Sequence, residues 1–309
     1  MPLYLSDAEV AELLDTDAAI EAVEGCLERL ARGAVENRPR QRIVRDDGVF
    51  AVMHALDEEL GYAGLKSYAW LTGGTSFVVV LFSLATGQVE AVLEADVLGR
   101  LRTGAASGVA AKHLARPGAA TLGVIGCGRQ AETQIASIRR AVPSIEQVIV
   151  FCRDEERLDA FCGRVGAEAA ETHREAGSCD VVVTATTSRD PVLRGEWLQP
   201  GALVCAIGAN EPTHRELDNV VLERASLVCT DSLEEARHEA GDLIEPVAQG
   251  LLDWLEVHEL HEVLAGELPG RQADDDVIVF KSNGVAAWDV AAAAAVLERA
   301  RARGVGREL

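Results

Sequence analysis

TLGVIGCGRQAETQIASIRRA, residues 121–141, is the stretch on which the fold turns. A short run of strand character, TLGVI, leads into Gly126-Cys127-Gly128-Arg129-Gln130-Ala131, and a helix signal follows at once. The GxGxxA spacing alone is a weak sign, because many structural turns need glycine. Strand, glycine turn and helix in that order carry more, since they bring backbone amides and a helix N-terminus to one place, where a pyrophosphate can be held.

Outward toward the C-terminus the same alternation continues. QVIVF (147–151), a helix from about Glu155, DVVVTAT (180–186), ALVCAIG (202–208), SLVCTD (226–231) and VIVFK (277–281) read as further strands of a doubly wound parallel sheet, a Rossmann-type α/β unit. Ligands collect at the C-terminal ends of such strands. That places Gly126, Gly128, Arg129, Gln130 and Ala131, the strand end Thr184-Ala185-Thr186 and the turn at Gly208 along a nicotinamide dinucleotide. About twenty residues past Ala131, where an NAD-type unit carries an acid for the ribose 2′-hydroxyl, this chain has Cys152-Arg153. An arginine there suits a 2′-phosphate, so NADP is favoured and NAD stays possible. The competing reading is a solvated arginine ahead of Asp154-Glu155-Glu156.

Outward toward the N-terminus the grammar differs. Ser6 and Glu9 form a capping box for a short helix, and a longer amphipathic helix through Ile20, Val23, Leu27 and Leu30 ends at Gly33. QRIV (41–44), VFAVM (49–53), GLKSYAW (64–70), SFVVVLF (76–82) and VEAVLEA (89–95) are then separated by turn signals, as in a mostly antiparallel sheet or small barrel. A helix from about Ala95 to Ala115 is rich in small residues and stops at Pro117-Gly118. The Ala-rich helix at 288–302 is expected to return to this first domain. Two domains follow: 1–117 plus 285–309, an N-terminal α+β unit, and 118–284, the dinucleotide unit.

Composition bounds the function. A formal charge of −21 argues against nucleic acid or an anionic membrane as partner. The chain has no run of eighteen apolar residues, and MPLYLSDAEV lacks the basic start of a secretion signal, so a cytoplasmic protein is expected. The seven cysteines are odd in number and widely spaced, and read as small core residues. VHELH (257–261) lacks the HExxH order and reads as a solvated helix face; no metal is expected.

Taken with Pro39-Arg40, Gly64-Leu65-Lys66 and Arg215-Glu216-Leu217-Asp218, the motifs LRTGAAS (101–107), GCGRQAETQ (126–134) and KSNGVAAWDVA (281–291) resemble the ornithine cyclodeaminase/μ-crystallin family over nearly the whole chain. The resemblance implies a homodimer built through the N-terminal domain, an active site between the two domains, and a substrate that is a small α-amino or α-imino carboxylate. By the same resemblance, Arg40, Lys66, Ser76 and Arg102 bind substrate, and Thr103 and Ser282 join the cofactor contacts. The residues themselves agree for two of these. Lys66 interrupts an apolar strand and Arg102 lies among Leu98, Leu101, Ala105 and Val109, and charges so placed need a partner, for which an anionic ligand serves as well as a structural salt bridge. Spacing does not choose between Arg40 and Arg42. Two departures weaken the ornithine chemistry: Ala51 stands where cyclodeaminases carry an acid, and Asn210 where they carry the aspartate that attends the substrate amine. The expected activity is an NAD(P)H-dependent imino-acid reductase or amino-acid dehydrogenase, with Lys66 or an ordered water as proton donor and Asn210 beside the reacting amine. Ornithine cyclodeaminase and a dinucleotide-binding protein without turnover are the alternatives.

Overall fold

The computed structural model describes residues 1–309, and the chain divides into two compact units, 1–103 with 284–309 and 104–283. In chain order the first unit contains β1 (Leu3–Leu5), α1 (Asp7–Leu13), α2 (Thr16–Ala31), β2 (Val35–Arg45), β3 (Gly48–Asp57), β4 (Tyr62–Leu71), β5 (Gly74–Ser83), β6 (Val89–Glu94) and the start of α3 (Asp96–Leu114). The second holds β7 (Thr121–Ile125), α4 (Arg129–Ala141), β8 (Gln147–Phe151), α5 (Glu155–Val165), β9 (Glu168–Ala169), α6 (His173–Gly177), β10 (Val181–Thr184) and β11 (Leu203–Ala206). It continues with α7 (Asn219–Glu223), β12 (Ala225–Thr230), α8 (Leu233–Glu239), α9 (Gly241–Ala248), β13 (Val257–Glu259), α10 (Leu260–Leu264) and β14 (Val277–Lys281), before α11 (Ala286–Arg303) and β15 (Arg307–Glu308) return to the first unit.

In the first unit, the Ser6–Glu9 capping box starts α1 as its sequence requires. Strands β2 to β6 form an antiparallel meander, and β1 and β15 extend it into an open seven-stranded sheet ordered β15-β1-β6-β5-β4-β3-β2, not a closed barrel. One face is covered by α11, which packs on β3, β4, β5 and α2. Its alanines permit that closeness. At Gly64 on β4 an added Cβ would come within 2.8 Å of Val290. The closing helix therefore belongs to the N-terminal unit, as the alternation of elements implies.

The second unit is a parallel sheet of eight strands, ordered β13-β12-β14-β11-β10-β7-β8-β9. β10, β11 and β14 are buried along their whole length, which is why they read as continuous apolar runs rather than alternating ones. The VIVFK strand, β14, lies between β11 and β12, a slot that its position in the sequence does not reveal. The sequence places a boundary near Pro117, whereas the structural division falls inside α3. The reason is local: a Cβ on Gly104 would lie 2.4 Å from the Thr133 carbonyl oxygen, so the second half of α3 packs intimately on α4. The VHELH segment, expected on one helix face, is instead split between β13 and α10, and each histidine meets a glutamate, His258 with Glu262 and His261 with Glu259. No helix is long and apolar enough to cross a membrane.

Candidate functional site

Two groups of residues carry chemistry, one in each unit. The first lies at the C-terminal ends of β7, β8 and β10, where β7 has β8 on one side and β10 on the other, the switch point of the strand order. A cavity of about 430 Å³ is lined there by Gly126, Cys127, Gly128, Cys152, Arg153, Arg157, His173, Ala185, Thr186, Arg194 and Trp197, among others. Gly126 has φ +119°, and an added Cβ would sit 2.4 Å from the Ala185 carbonyl oxygen, so only glycine fits this turn. Gly128 differs: a Cβ there would meet nothing within 4 Å. It is the N-cap of α4 and offers no side-chain cap. An open glycine before an uncapped helix N-terminus fits the pyrophosphate of a dinucleotide.

The walls of the cavity are cationic and aromatic. Arg153, Arg157 and Arg194 line it, and no carboxylate does. Asp154, which follows Arg153 in sequence, is spent as the N-cap of α5, accepting from the Arg157 amide. Phe151 and His173 have ring centroids 4.0 Å apart, and Trp197 stacks beyond at 6.5 Å. Burial pushes the His173 pKa down, and the Arg153 charge acts in the same direction, so the ring is neutral at pH 7. One expectation about cysteine needs correcting. Cys26, Cys162, Cys179, Cys205 and Cys229 are buried free thiols, but Cys127 and Cys152 line the cavity and are joined by a disulfide, with Cα atoms 5.7 Å apart. The parallel register that pairs Ile125 with Phe151 brings the two residues side by side just beyond the strand ends.

Not every residue expected at the cofactor lines this cavity. Arg129, Gln130 and Ala131 form the first turn of α4, with Ala131 wholly buried. Thr184 donates its hydroxyl to Glu216, and Ser282 to Asp231, inside the unit; Thr103 donates to the Gly99 carbonyl in the other unit. Glu216 itself, which the sequence marks as part of a motif without giving it a role, is an organising group. Its buried carboxylate accepts from Thr184, from the amide and hydroxyl of Thr186, and from the amides of Gly208 and Ala209. It thereby ties two strand-end turns together. Asn210 is exposed in the turn after β11, and the neighbouring Glu211 is exposed and faces His214 at 3.4 Å.

The second group is in the first unit. Lys66 on β4 and Arg102 on α3 are both buried and converge on one carboxylate oxygen, Asp289 Oδ1 of α11, at 2.9 and 3.0 Å. Arg40 on β2 is close enough to act on the Lys66 charge and donates to the Gly284 carbonyl. Two glycines make the space. A Cβ on Gly99 would lie 2.9 Å from Lys66 Nζ, and one on Gly284 would lie 2.6 Å from Arg102 Nη1. Burial lowers the Lys66 pKa to about 8, against the pull of Asp289, with Arg102 and Arg40 adding to the depression. For Asp289, burial opposes the charged form, but the two cations outweigh it and hold the carboxyl below its ordinary value. Arg102 Nη1 and Asp289 Oδ2 are buried with no hydrogen-bond partner.

Ser76 is not brought to this group. In the β4–β5 register it pairs with Ala69, whereas Lys66 pairs with Val79, so the two side chains stand on opposite faces of the sheet. Arg42 and Ala51 share Lys66's face, because Met53 pairs with Lys66 and Ala51, two residues away, pairs with Arg42. Asp289 is the residue that the sequence reading missed. A lone charge in AAWDVAAAAAV carries the same signal that singled out Lys66 and Arg102.

A parallel α/β sheet with an uncapped glycine turn and a cation-lined cavity at its switch point defines a Rossmann-type, dinucleotide-dependent oxidoreductase. The chain belongs to the ornithine cyclodeaminase/mu-crystallin family, whose profile matches residues 2–304. It is 36% identical to an alanine dehydrogenase of Archaeoglobus fulgidus, with 99% of this chain and 98% of the relative aligned. The Thermococcus litoralis Δ1-pyrroline-2-carboxylate reductase, solved with NADH and L-proline, superposes with a TM-score of 0.93 at 30% identity, covering 99% of this chain and all of that one. An archaeal alanine dehydrogenase dimer with bound NAD gives 0.93 at 36% identity, over 100% and 98% of the two chains. The protein is an NAD(P)-dependent oxidoreductase of the kind that acts on C–N bonds.

Proposed function

We propose that the protein is an imino-acid reductase, in the reverse direction an amino-acid dehydrogenase, acting on a small α-imino or α-amino carboxylate and preferring NADP(H). The observation that carries the substrate reading is the buried cation group. Lys66 and Arg102 share one carboxylate, Asp289, with the Arg40 charge acting on Lys66 as well, and Arg102 Nη1 has no acceptor inside the protein. Buried positive charge without a full complement of acceptors is costly, and a substrate carboxylate supplies them. When bound, the dinucleotide supplies or accepts hydride at the substrate α-carbon. The chain's residues orient and protonate. Arg102 and Arg40 hold the carboxylate, and Lys66, poised near pH 8, delivers a proton to the imine nitrogen and regains it from water. Asn210, neutral and exposed, serves as a hydrogen-bonding group at the amine rather than as a base.

The preference for NADP(H) rests on Arg153 and Arg157 in a cavity that no carboxylate lines. The Phe151–His173–Trp197 rings offer an aromatic wall for a purine. A homodimer is part of the same reading. At the tip of β2, β3 and β4 the side chains of Ile43 and Phe50 on one face, and Val44 and Trp70 on the other, are 43–76% exposed, more apolar surface than a free sheet tip needs. We also place the working protein in the cytoplasm.

Purified protein should consume NADPH when given a panel of cyclic imino acids, or 2-oxo acids mixed with ammonia or methylamine, with loss of the reduced-nicotinamide absorbance in at least one mixture. Two outcomes would overturn the reading: stoichiometric release of proline and ammonia from ornithine with catalytic dinucleotide, or tight NADPH binding with no turnover in any mixture.

A further inference from the structure

We propose that Asp289 is a positioning residue of the substrate site, whose single carboxylate holds the Lys66 ammonium charged and clamps Arg102 beside it. The proposal rests on the imino-acid reductase reading for its kinetic consequence, and on the geometry of the first unit alone for its physical content.

Three elements meet at this carboxylate. From β4, Lys66 Nζ donates to Asp289 Oδ1 at 2.9 Å, and from α3, Arg102 Nε donates to the same oxygen at 3.0 Å, with all three side chains buried. From β2 comes a further positive charge, Arg40. The remaining neighbours of Lys66 are uncharged: Met53 on β3 and Val79 on β5 are its register partners, the Phe77 ring lies 5.8 Å away, and Gly99 of α3 packs against Nζ. Asp289 is therefore the anion that stands against the desolvation of Lys66 and against the repulsion of two guanidinium groups. Burial alone would strip the ammonium of its proton; an opposite charge at hydrogen-bond distance restores it.

The second oxygen, Oδ2, has no partner. A carboxylate that merely neutralised a buried pair would use both oxygens, since each unsatisfied one costs stability. Its one-sided use keeps Lys66 and Arg102 on a common oxygen, and therefore adjacent, so that a carboxylate held by Arg102 brings the neighbouring imine nitrogen to Lys66. Asp289 is unsuited to exchange protons itself. The same cations hold its carboxyl below the usual range, so it stays ionised while Lys66 titrates.

Asp289→Asn preserves shape and acceptor oxygen but removes the charge, and it separates this role from a packing role. The chain has three lysines, Lys66, Lys112 and Lys281, so 13C-lysine NMR follows Lys66 directly, with Lys66→Arg for assignment and no substrate required. The native ammonium should titrate near pH 8. In Asp289→Asn its midpoint should fall by about one to three pH units, the span over which an adjacent opposite charge acts. In turnover the high-pH limb of kcat should move down by the same amount, while KM for the imino acid stays level or falls, because the site has become more positive. A one-unit shift from 8 lowers the protonated fraction at pH 8 about fivefold, and kcat with it. Asp289→Glu, which keeps the charge, should keep the Lys66 midpoint near the native value. A Lys66 midpoint unchanged in Asp289→Asn overturns the proposal. If that variant does not fold, a native Lys66 already deprotonated at pH 6, or one displaced in Asp289→Glu as far as loss of charge would displace it, overturns it equally. Absence of turnover with an intact NMR result would count against the reductase reading and leave the Asp289 assignment standing.

Discussion

Replacing Arg153 and Arg157 by alanine should abolish discrimination between NADPH and NADH while leaving NADH binding nearly as it is. Both arginines line the cavity at the switch point and both are exposed to solvent, so each contact with a 2′-phosphate belongs at the weak end of charge-assisted hydrogen bonds, about 1.5 kcal/mol. At about 1.4 kcal/mol per decade, each substitution then weakens NADPH about tenfold and the pair about a hundredfold. NADH, which lacks that phosphate, should change by no more than about twofold, because the open Gly128 turn and the α4 N-terminus proposed to hold its pyrophosphate are untouched. Titration calorimetry of the native protein and the three variants with both cofactors measures this directly. Repetition at high salt adds a second test, since a solvent-exposed pair of this kind must weaken as ionic strength rises. Equal losses for NADPH and NADH would mean that the arginines hold the shared pyrophosphate. No loss for NADPH in the double variant would remove the NADP preference altogether.

Arg102→Ala and Lys66→Ala should each lower kcat/KM by at least tenfold, consistent with loss of about 1.5–3 kcal/mol of charge-assisted contact, with NADPH affinity unchanged in calorimetry. Because either change leaves Asp289 with one cation in place of two, the melting temperature should fall as well, whereas a variant that melts normally and turns over normally would mark its residue as dispensable. Sedimentation equilibrium should give twice the 32.9 kDa chain mass, and Val44→Glu combined with Trp70→Glu should shift it toward the monomer; a native monomer would refute the dimer.

The parts of the fold that announce themselves in the sequence are those with a periodic or punctuated signal. The Ser6–Glu9 box, the five meander strands, and the strand–glycine–helix step at Thr121–Ala131 are of this kind, each set by its own residues or by the element next to it in the chain. The region between β11 and β14 is not. Its helices are five to eight residues long and β13 is three, too short for a period to register, and their positions depend on burial against a distant sheet. Side-chain partners follow the same division. Lys66 and Arg102 stand out because a charge in an apolar element demands an explanation, and Asp289 obeys that rule too once α11 is seen to be buried. Ser76 shows the opposite limit. Which residues of a hairpin share a face depends on register, and a displacement of one residue moves a side chain to the other side of the sheet. His173 and Trp197 reach the cavity from segments with no local signal, so only the folded chain brings them beside Phe151.

The balance between reduction and ammonia elimination in this chain comes down to where negative charge is free to act. Elimination from a diamine requires a carboxylate that can attract an ammonium and accept its proton, and that carboxylate must not already be committed. On the face of the first sheet that carries Lys66, the position available for such a group on β3 is Ala51, wholly buried and inert. The carboxylate that does stand there, Asp289, is held ionised by two cations and is a poor base. In the second unit Asn210 is a carboxamide, and Glu211 beside it is exposed and turned toward His214. A substrate that arrives as an imine asks for less. It needs a carboxylate clamp and one proton, and in the reading proposed above the clamp and the donor are the two side chains that Asp289 holds together.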